Sequence, residues 1–430
     1  MKIPPVKGTR DFYPPEMARH NWIIDGWRKA SLRSGFEEYD GPIFEHLSMY
    51  QIKSGQEIVE QLFSLQDRGG RDLAIRPEIT PTLARMVNQK INALPRPIKW
   101  FAVPRLCRAE RPQKGRLREF FQWNIDIIGE NLGEADAEII FTTLDYLRMV
   151  GLTSKDIQAK ISSRKLLAAV LTDIGIPPER LDPLYGVLDK RAKLPAEAFE
   201  AILAEQVPDV NQAKKVLDFM TLDAVEQVRK MAGANEMVLD AVRDLEKLFA
   251  MLEWMGVGEY CRFDPSIVRG LAYYTGMVFE VHDIAGELRA ICGGGRYDNL
   301  LRDFGGPSIP ATGMGMGDAV LEILLQEKGL LDKQVVKPQL EYFVTFADQY
   351  FGSEMYRITA AIRLRGHSAN FSYKLGGLSK QLKEAAGQNA RACVIVGQEY
   401  RDKRQVVLKN MATGEQELAD VEQFLSRLGS

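Results

Sequence analysis

Hydrophobic residues recur along the chain with two spacings, and their succession predicts a mixed α and β protein. Apolar positions return every three or four residues over Glu16–Ser34, which predicts an amphipathic helix that ends at Gly35. The same spacing predicts a helix over Ala135–Met149 and dominates residues 152–250. Between about 165 and 250 no motif carries recognisable chemistry, and we interpret this stretch as a helical insertion.

A strand with strict alternation, Phe120–Ile128, follows an apolar first arm, Trp100–Cys107, and a basic loop, Arg111–Glu119. In a strand, side chains two positions apart share a face. We therefore expect one face to carry Phe120, Gln122, Asn124 and Asp126 and the other to carry Phe121, Trp123, Ile125 and Ile127. The second face is apolar enough to join a core, whereas the first presents a ring, an amide and a carboxylate in a row.

Charge is concentrated around the basic loop. From Arg105 to Glu119 there are six Arg/Lys residues and two Glu, a local balance of +4 in a chain whose total is −2. Cations suit phosphate, a ring suits a base, and a carboxylate suits an amine or an imidazole N–H, so this hairpin could hold a nucleotide. The alternative is a solvated basic hairpin without a ligand.

Two prolines bracket a candidate carboxylate, Glu78, in the sequence RPEITP. A residue that precedes proline avoids the helical region, so Arg76 and Thr80 are expected outside a helix that begins around Thr82. Glu78 would then lie on a rigid loop and could bind an α-amino group. The alternative is a carboxylate that stabilises the first turn of the following helix.

Glycine-rich stretches follow later in the chain. Val278–Asp283 and Leu288–Cys292 are predicted to form a hairpin around Gly286, and three glycines at 293–295 leave room for a ligand beside the backbone. The run GMGMG over 313–317 lacks a surrounding βαβ unit, so we reject a dinucleotide-binding fold. The sequence has no phosphate loop of the Gly-x4-Gly-Lys-Ser/Thr type.

A polar linker, residues 326–338, predicts a boundary between a first domain, 1–330, and a second domain, 331–430. Strands and helices alternate in the second domain, which predicts a small α/β fold. The predicted strands are 340–346, 392–396 and 405–410, and the predicted helices are 352–365, 379–389 and 418–428. This domain is mildly basic, with 14 Lys/Arg and 11 Asp/Glu, a net charge of +3.

Composition is typical of a globular protein and gives no sign of a membrane span, a disulfide framework or a metal site. Hydrophobic content of 45% and charged content of 27% are ordinary for a globular protein, and no apolar run is long enough to predict a membrane span. The four cysteines and four histidines lack the spacing of a disulfide framework or a metal site, so a reducing cytoplasm is the expected location. A local basic patch suffices for RNA binding, which the near-neutral total charge therefore does not exclude.

Several motifs resemble those of one enzyme family. Arg108-x-Glu110, the loop sequence ERPQKGR and the downstream FFQ are similar to motif 2 of class II aminoacyl-tRNA synthetases, particularly histidyl-tRNA synthetases. The stretch Arg269–Gly276 resembles the RGLxYYTG motif of the latter, although as a bare pattern it would indicate a strand entry with core tyrosines. The succession of the helix Glu16–Ser34, Gly35, an extended stretch and Pro42 resembles motif 1, the dimer element. The second domain resembles an anticodon-binding domain.

The resemblance implies a fold and a reaction. The fold would be α/β (α+β): a class II antiparallel-sheet catalytic domain with a helical insertion, followed by a C-terminal α/β anticodon-binding domain. The reaction would join L-histidine to tRNA(His) through histidyl-adenylate, with ATP as a substrate and Mg²⁺ accompanying it without an assigned protein ligand. The enzyme would be a cytoplasmic homodimer.

The resemblance also implies roles for individual side chains. The residues implied to bind histidine are Glu78, Thr80, Gln122, Asp126, Tyr273 and Tyr274. Those implied to bind ATP are Arg108, Glu110, Arg116, Phe120 and Arg269, of which Arg108 and Arg269 hold the reacting α-phosphate. The loop tip, Gln113–Arg118, would face the acceptor end of the tRNA, with Gln113 and Arg118 as its contacts.

One departure from the family pattern bears on catalysis. Motif 3 usually ends in an arginine that grips ATP, and Val320 occupies that position here. Either another cation (Arg296, Arg116 or Arg118) does this work, or ATP chemistry is impaired. Milder departures are Phe121, where relatives often have histidine, and an alanine at 272, where many have an acid.

Two alternative functions stay open beside the histidyl-tRNA synthetase interpretation. Val320 is compatible with a non-catalytic, histidine-binding regulatory subunit of ATP phosphoribosyltransferase, although Arg108, Glu110 and the second domain argue against it. A synthetase for another amino acid is the third possibility. Asp126 and the adjacent tyrosines favour a basic heteroaromatic substrate instead.

Overall fold

The computed structural model describes residues 3–53, 61–191, 194–233, 235–269, 273–331, 339–374 and 376–429. The chain divides into two compact units, Met1–Val335 and Val336–Ser430. The predicted linker, 326–338, lies partly outside the described residues, and its first two residues are the end of a helix. The sequence at 54–57 and 63–70 predicts a strand and a Gly-Gly turn, and of these residues 54–57 also lie outside the described ranges.

The first unit combines two β-sheets with a large set of helices. Its strands are β1 (Glu37–Glu38), β2 (Phe44–His46), β3 (Phe63–Gln66), β4 (Asp72–Ile75), β5 (Ile98–Ala102), β6 (Arg105–Cys107), β7 (Glu119–Ile128), β8 (Ile157–Ser163), β9 (Cys261–Phe263), β10 (Met277–Asp283), β11 (Cys292–Arg296) and β12 (Ala311–Gly317). Its helices are α1 (Pro14–Arg33), α2 (Leu47–Lys53), α3 (Thr80–Lys90), α4 (Gly133–Met149), α5 (Arg164–Ile174), α6 (Leu181–Leu188), α7 (Ala196–Gln206), α8 (Val210–Phe219), α9 (Val225–Ala232), α10 (Glu236–Trp254), α11 (Leu300–Asp303) and α12 (Asp318–Glu327).

The larger sheet of the first unit is predominantly antiparallel. Its strand order is β1-β5-β7-β12-β11-β10-β8-β9, and β6 pairs with the free part of β7. Only the outer pairs β1–β5 and β8–β9 of this described sheet are parallel. A smaller antiparallel sheet has the order β2-β4-β3. The predicted antiparallel catalytic-type sheet is confirmed.

Strand β7 divides its side chains between two faces as the alternation predicted. Trp123, Ile125 and Ile127 are buried in the main hydrophobic core. Helix α1 covers them, with the Trp27 and Trp123 rings stacked at 6.3 Å and the indole N–H of Trp123 donating to Ser31 Oγ at 2.8 Å. The opposite face is left free for polar side chains.

Helices α5 to α10 fill residues 164–254 and share one apolar core with the sheet. The prediction of helical periodicity from residue 152 onward was wrong at its start, because Ile157–Ser163 forms β8. This strand lies between β10 and β9, and a strand covered by packing can carry a short apolar run that resembles one helical turn.

Two other local predictions were also wrong. Thr80 is the first residue of α3, because Pro81 stands in the first helical turn, where its missing N–H costs no hydrogen bond. The second strand of the predicted hairpin is Cys292–Arg296 rather than Leu288–Cys292, so the three glycines lie within a strand. Glycines give no hydrophobic signal, and alternation therefore could not locate this strand.

The second unit is a separate α/β fold. Its strands are β13 (Leu340–Phe346), β14 (Ala369–Phe371), β15 (Ala390–Val396), β16 (Gln405–Asn410) and β17 (Gln416–Asp420), in the order β14-β13-β15-β16-β17. Its helices are α13 (Gly352–Leu364), α14 (Leu378–Gly387), α15 (Gln398–Lys403) and α16 (Val421–Arg427). The predicted final helix begins too early, because Leu418 pairs in β17 and Asp420 caps α16 by accepting from the Gln423 N–H.

Among the described helices, none combines the length and apolar character that a membrane crossing requires.

Candidate active site

One pocket lies on the polar face of the large sheet and gathers most of the predicted site residues. It contains all six residues implied to bind histidine, namely Glu78, Thr80, Gln122, Asp126, Tyr273 and Tyr274. Arg108 and Arg269, the two arginines implied to hold the α-phosphate, line the same pocket. The pocket thus combines residues from the start of α3 and the loop before it, from the β6–β7 hairpin, and from the segment before β10.

The glycines of β12 form the floor of this pocket. Gly313 pairs with Asp126 and Gly315 with Asn124 across the antiparallel strands. A Cβ built on Gly313 would overlap the Asp126 carboxylate, and one on Gly315 would lie 3.0 Å from Gln122 Nε2. The GMGMG run therefore clears space for polar side chains on the neighbouring strand and for what they bind.

Asp126 is the electrostatic centre of the pocket. It is only 3% exposed, and burial raises the pKa of its carboxyl to about 7, although a hydrogen bond donated by the Tyr297 hydroxyl opposes the shift. Tyr297 donates to Oδ1, whereas Oδ2 is buried and has no hydrogen-bond partner among the residues that the structure describes. A buried carboxylate oxygen of this kind favours a ligand that supplies an N–H.

A second carboxylate, that of Glu78, lines the same pocket. Glu78 is 6% exposed, and its Oε2 accepts from the Tyr273 hydroxyl at 3.4 Å. Burial raises the pKa of Tyr273, which therefore remains a hydrogen-bond donor at neutral pH. Tyr274 packs against Tyr273 with ring centroids 5.0 Å apart. Two tyrosine rings and two carboxylates in one pocket suit a small ligand with an amine and a flat ring.

Arg269 is held where a strand glycine makes room for it. Its Nη1 lies 3.3 Å from Glu280 Oε1 and its guanidinium stacks 5.4 Å from the Tyr274 ring centroid. A Cβ on Gly293 would overlap Nη1, so a side chain at that position would displace the arginine. Arg269 itself has a φ of 57°, a conformation that non-glycine residues adopt mainly at constrained sites.

The remaining predicted residues lie on the hairpin that leads away from the pocket. Arg108 stacks on the Phe120 ring at 5.1 Å and donates from Nε to the Pro77 carbonyl at 3.1 Å. Glu110 forms an ion pair with Arg116. Arg108 thus links the pocket to a group of three residues, Glu110, Arg116 and Phe120, implied to bind ATP.

The tip of the basic loop is a tight turn closed by two backbone hydrogen bonds between Gln113 and Arg116. Arg118 donates from Nε to the Glu110 carbonyl at 3.0 Å. Arg296, one of the three cations considered as a substitute for the motif-3 arginine, is buried and bonded to Asp136 at 3.0 Å. Because Arg296 is buried in this ion pair, Arg116 and Arg118 are the remaining candidates to replace the motif-3 arginine.

Sequence reasoning missed two side chains that line this pocket. Asn124 was placed on the correct face but given no role, and Tyr297 was not assigned at all. Gly293, Gly295 and Tyr297 alternate, so a strand through the glycines would have directed Tyr297 toward the pocket. Tyr297 was missed because the sequence analysis did not predict a strand through the glycines.

Comparisons with known proteins agree with this geometry. The family model described as histidyl-tRNA synthetase matches residues 8–318, and the anticodon binding domain model matches residues 342–430. A histidine–tRNA ligase of Arabidopsis thaliana chloroplasts and mitochondria is 39% identical, covering 98% of this chain and 86% of the relative. The Halobacterium salinarum histidine–tRNA ligase is 38% identical, with 97% and 96% covered.

Solved structures show that the fold is shared. The histidyl-tRNA synthetase of Nostoc sp. PCC 7120 superposes with a TM-score of 0.81 at 23% identity, covering 100% of this chain and 99% of that one. The apo enzyme of S. aureus has a TM-score of 0.76 at 23% identity, with both chains covered fully. The antiparallel sheet and its pocket define a class II aminoacyl-tRNA synthetase fold. Within that class, the chain belongs to the histidyl-tRNA synthetase family.

Proposed function

We propose that this chain is a histidine–tRNA ligase, which activates L-histidine with ATP and transfers it to the 3′ end of tRNA(His). The observation that carries this proposal is the buried Asp126 carboxylate, whose Oδ2 has no partner within the described ranges and lies in a pocket with Glu78 and two tyrosines. An imidazole N–H donates to Oδ2, and the α-amino group pairs with the Glu78 carboxylate. Family membership supplies the reaction type.

In the first step, a carboxylate oxygen of histidine attacks the α-phosphorus of ATP and pyrophosphate leaves. Arg108 and Arg269 line the pocket beside the amino-acid residues, where negative charge develops on the α-phosphate. Phe120, stacked on Arg108, provides the surface for adenine, and Glu110 and Arg116 complete the nucleotide side. The rate gain comes from positioning and charge stabilisation, because the protein forms no covalent intermediate.

In the second step, a hydroxyl of the terminal ribose of tRNA attacks the histidyl carbonyl and AMP leaves. The basic loop supplies Gln113 and Arg118 for the acceptor end. The second unit, which matches the anticodon binding domain model, binds the other end of the tRNA. Exposed aromatic rings on that unit, Tyr350 and Tyr373, are suited to stacking with single-stranded bases. The reaction takes place in the cytoplasm, where the four free cysteines stay reduced.

Mg²⁺ enters the site with ATP in this proposal. Among the described residues, no group of three or more His, Cys, Asp or Glu is arranged to hold a metal ion. Mg²⁺ commonly keeps several waters and is held by phosphates with one or two carboxylates. A metal bound mainly through the nucleotide therefore agrees with the residues present, and it would neutralise phosphate charge during attack.

A homodimer is part of the proposal. The small sheet leaves Ile43 and Phe44 60% and 55% exposed, and Leu65 lies beside Phe44 along a shallow groove. Contiguous exposed apolar side chains of this kind are typical of protein contact surfaces. In a two-fold dimer the same patch is covered by its copy on the partner.

The alternative function, a histidine-binding regulatory subunit, has less support. One similar solved structure, from Bacillus halodurans, is described as an ATP phosphoribosyltransferase regulatory subunit/histidyl-tRNA synthetase and has a TM-score of 0.75 at 22% identity. Arg108 and Arg269 in the pocket and the match of residues 342–430 to an anticodon binding domain favour the ligase.

The proposal is tested by amino-acid-dependent ATP–pyrophosphate exchange, in which histidine is compared with the other nineteen amino acids. Exchange with histidine alone is expected. Absence of exchange, with histidine still bound in calorimetry, would instead support the regulatory subunit.

A further inference from the structure

Val320, which stands where the family pattern has an ATP-binding arginine, is not directed at the pocket. It lies in the first turn of α12 and is 8% exposed. The tip of the basic loop covers it: a Cβ built on Gly115 would be 3.0 Å from Val320 Cγ2 and 3.9 Å from Ile323 Cδ1. The φ of Gly115 is 73°, a conformation that glycine adopts without strain, and its lack of a side chain permits the close approach to Val320.

The basic loop and the start of β7 together follow helix α12 over more than two turns. Near the start of the helix, the Phe121 N–H donates to Asp318 Oδ1 at 3.1 Å. In the middle, Gly115 rests on Val320 and Ile323. Toward the end of the helix, Lys114 Nζ pairs with Glu327 at 3.1 Å. Residues 320, 323 and 327 lie on one helical face, so this face forms a continuous seat for the loop.

The N-terminal segment, residues 6–12, holds the loop from another side. The Gly8 carbonyl accepts from the Arg118 N–H at 2.8 Å. Arg10 reaches α12, where its guanidinium bonds to Asp318 at 2.5 Å and to Glu322 at 3.0 Å. Asp318 is fully buried, so its pairing with Arg10 is less screened by solvent than a surface ion pair.

Aromatic rings also pack between the N-terminal segment and the start of β7. The Phe12 ring packs against His20 at 4.7 Å, and His20 packs against Phe121 at 4.3 Å. Phe121, the second departure from the family pattern, therefore fills an apolar contact beside Asp318. Burial lowers the pKa of His20 to about 4, so the ring that packs between Phe12 and Phe121 is neutral at physiological pH.

We propose that Val320 and Arg10 are positioning residues that seat the basic loop on α12, so that Val320 is a loop contact and not the remnant of a phosphate site. The inference rests on the proposed function, because the loop carries the arginines assigned to ATP and tRNA. A loop already held in place loses less conformational entropy when these substrates bind. Placing an arginine at 320 would then lift the loop tip instead of supplying a phosphate ligand.

The direct test is Val320→Arg, with Gln326→Arg as the matched control. Gln326 is exposed on the same helix and is not one of the three residues that seat the loop, so that variant adds the same charge without replacing a seat residue. In exchange assays, Val320→Arg is expected to raise the KM for ATP about 10-fold and leave the KM for histidine within 2-fold. A lower KM for ATP in Val320→Arg would overturn the proposal, because it would reveal a phosphate site.

Limited trypsin digestion gives a readout that does not depend on activity. Val320→Arg, the milder Val320→Ala and Arg10→Ala are all expected to speed cleavage at Lys114 and Arg116 at least 5-fold, whereas Val320→Ile, Lys7→Ala and Gln326→Arg match the parent protein. If Val320→Arg does not fold, cleavage of the loop is compared in Val320→Ala, Arg10→Ala and the parent protein. Unchanged loop cleavage and unchanged KM for ATP in these two variants would exclude the seat.

The outcomes separate this inference from the proposed function. If the parent protein exchanges pyrophosphate with histidine but the seat variants behave like it, the ligase stands and the seat is wrong. If the parent shows no exchange while the loop cleavage still responds to Val320→Ala, the seat exists and the proposed function is wrong.

Discussion

Asp126 carries the specificity in this proposal, because its buried Oδ2 is satisfied by an imidazole N–H. Asp126→Asn keeps the oxygen that Tyr297 bonds but loses the charge. A hydrogen bond to a charged group contributes about 1.5–3 kcal/mol, so the KM for histidine should rise about 10- to 100-fold. Exchange kinetics at saturating ATP measure this, and the KM for ATP serves as the internal control. Unchanged histidine kinetics would remove Asp126 from the pocket assignment.

The same residue costs the folded protein stability at neutral pH. Its pKa is raised to about 7 from an ordinary value near 3.8, so the folded state holds an extra proton between these values. Stability therefore falls as pH rises through this window, and the penalty is complete above it. Asp126→Asn removes the penalty, which is on the order of 4 kcal/mol at most. Thermal unfolding should show the variant gaining more over the parent at pH 8 than at pH 5; an equal gain at both values would contradict the buried carboxyl.

Strand β12 shows how an element prepares the site without contributing functional side chains. Gly313→Ala places a methyl group on the Asp126 carboxylate, and histidine exchange should fall at least 10-fold, in line with a cost of more than about 1.4 kcal/mol. Gly317→Ala on the same strand meets no atom within 4 Å and should leave exchange unchanged. Circular dichroism would check that both variants fold. Equal activity of the two would show that the β12 glycines beneath the pocket can be replaced without loss of histidine exchange.

Elements with a hydrophobic signal were predictable, and elements made of glycine or short apolar runs were not. Alternation located β7 and assigned both of its faces, because one face is packed against Trp27 and the other is polar. Strand β11 was displaced because its glycines carry no pattern. Strand β8 was hidden because its register is set by pairing with β10, a contact that is distant in sequence. The predicted side chains of the pocket came from motifs, whereas Tyr297 required that missing strand.

The departures from the family pattern became intelligible only in three dimensions. Val320 and Phe121 are far apart in sequence, yet both contact the structure that supports the basic loop. Arg10, more than 300 positions away from Asp318, joins the same group. Sequence alone offers no register between the N-terminal segment and α12, so the tertiary contact could not be predicted.

The whole molecule is expected to act as a dimer, and the patch on the small sheet provides a test. Phe44→Glu puts a charge into the apolar patch proposed as the two-fold contact, where the partner's copy of the patch would bury it. Sedimentation velocity should show the parent as a dimer near 97 kDa, about twice the chain mass of 48.4 kDa, and the variant shifted toward monomer. Glu417, exposed on the second unit, can be changed to Lys as a control. A monomeric parent would contradict the dimer.

The charging of tRNA with histidine tests the central claim most directly. The full chain would be incubated with ATP, Mg²⁺, labelled histidine and either a tRNA(His) transcript or a transcript of another tRNA. We predict acid-precipitable label on tRNA(His) alone, with the label lost when Asp126→Asn replaces the parent at low histidine concentration. A folded protein that binds histidine but leaves both transcripts uncharged would contradict the assignment as a histidine–tRNA ligase.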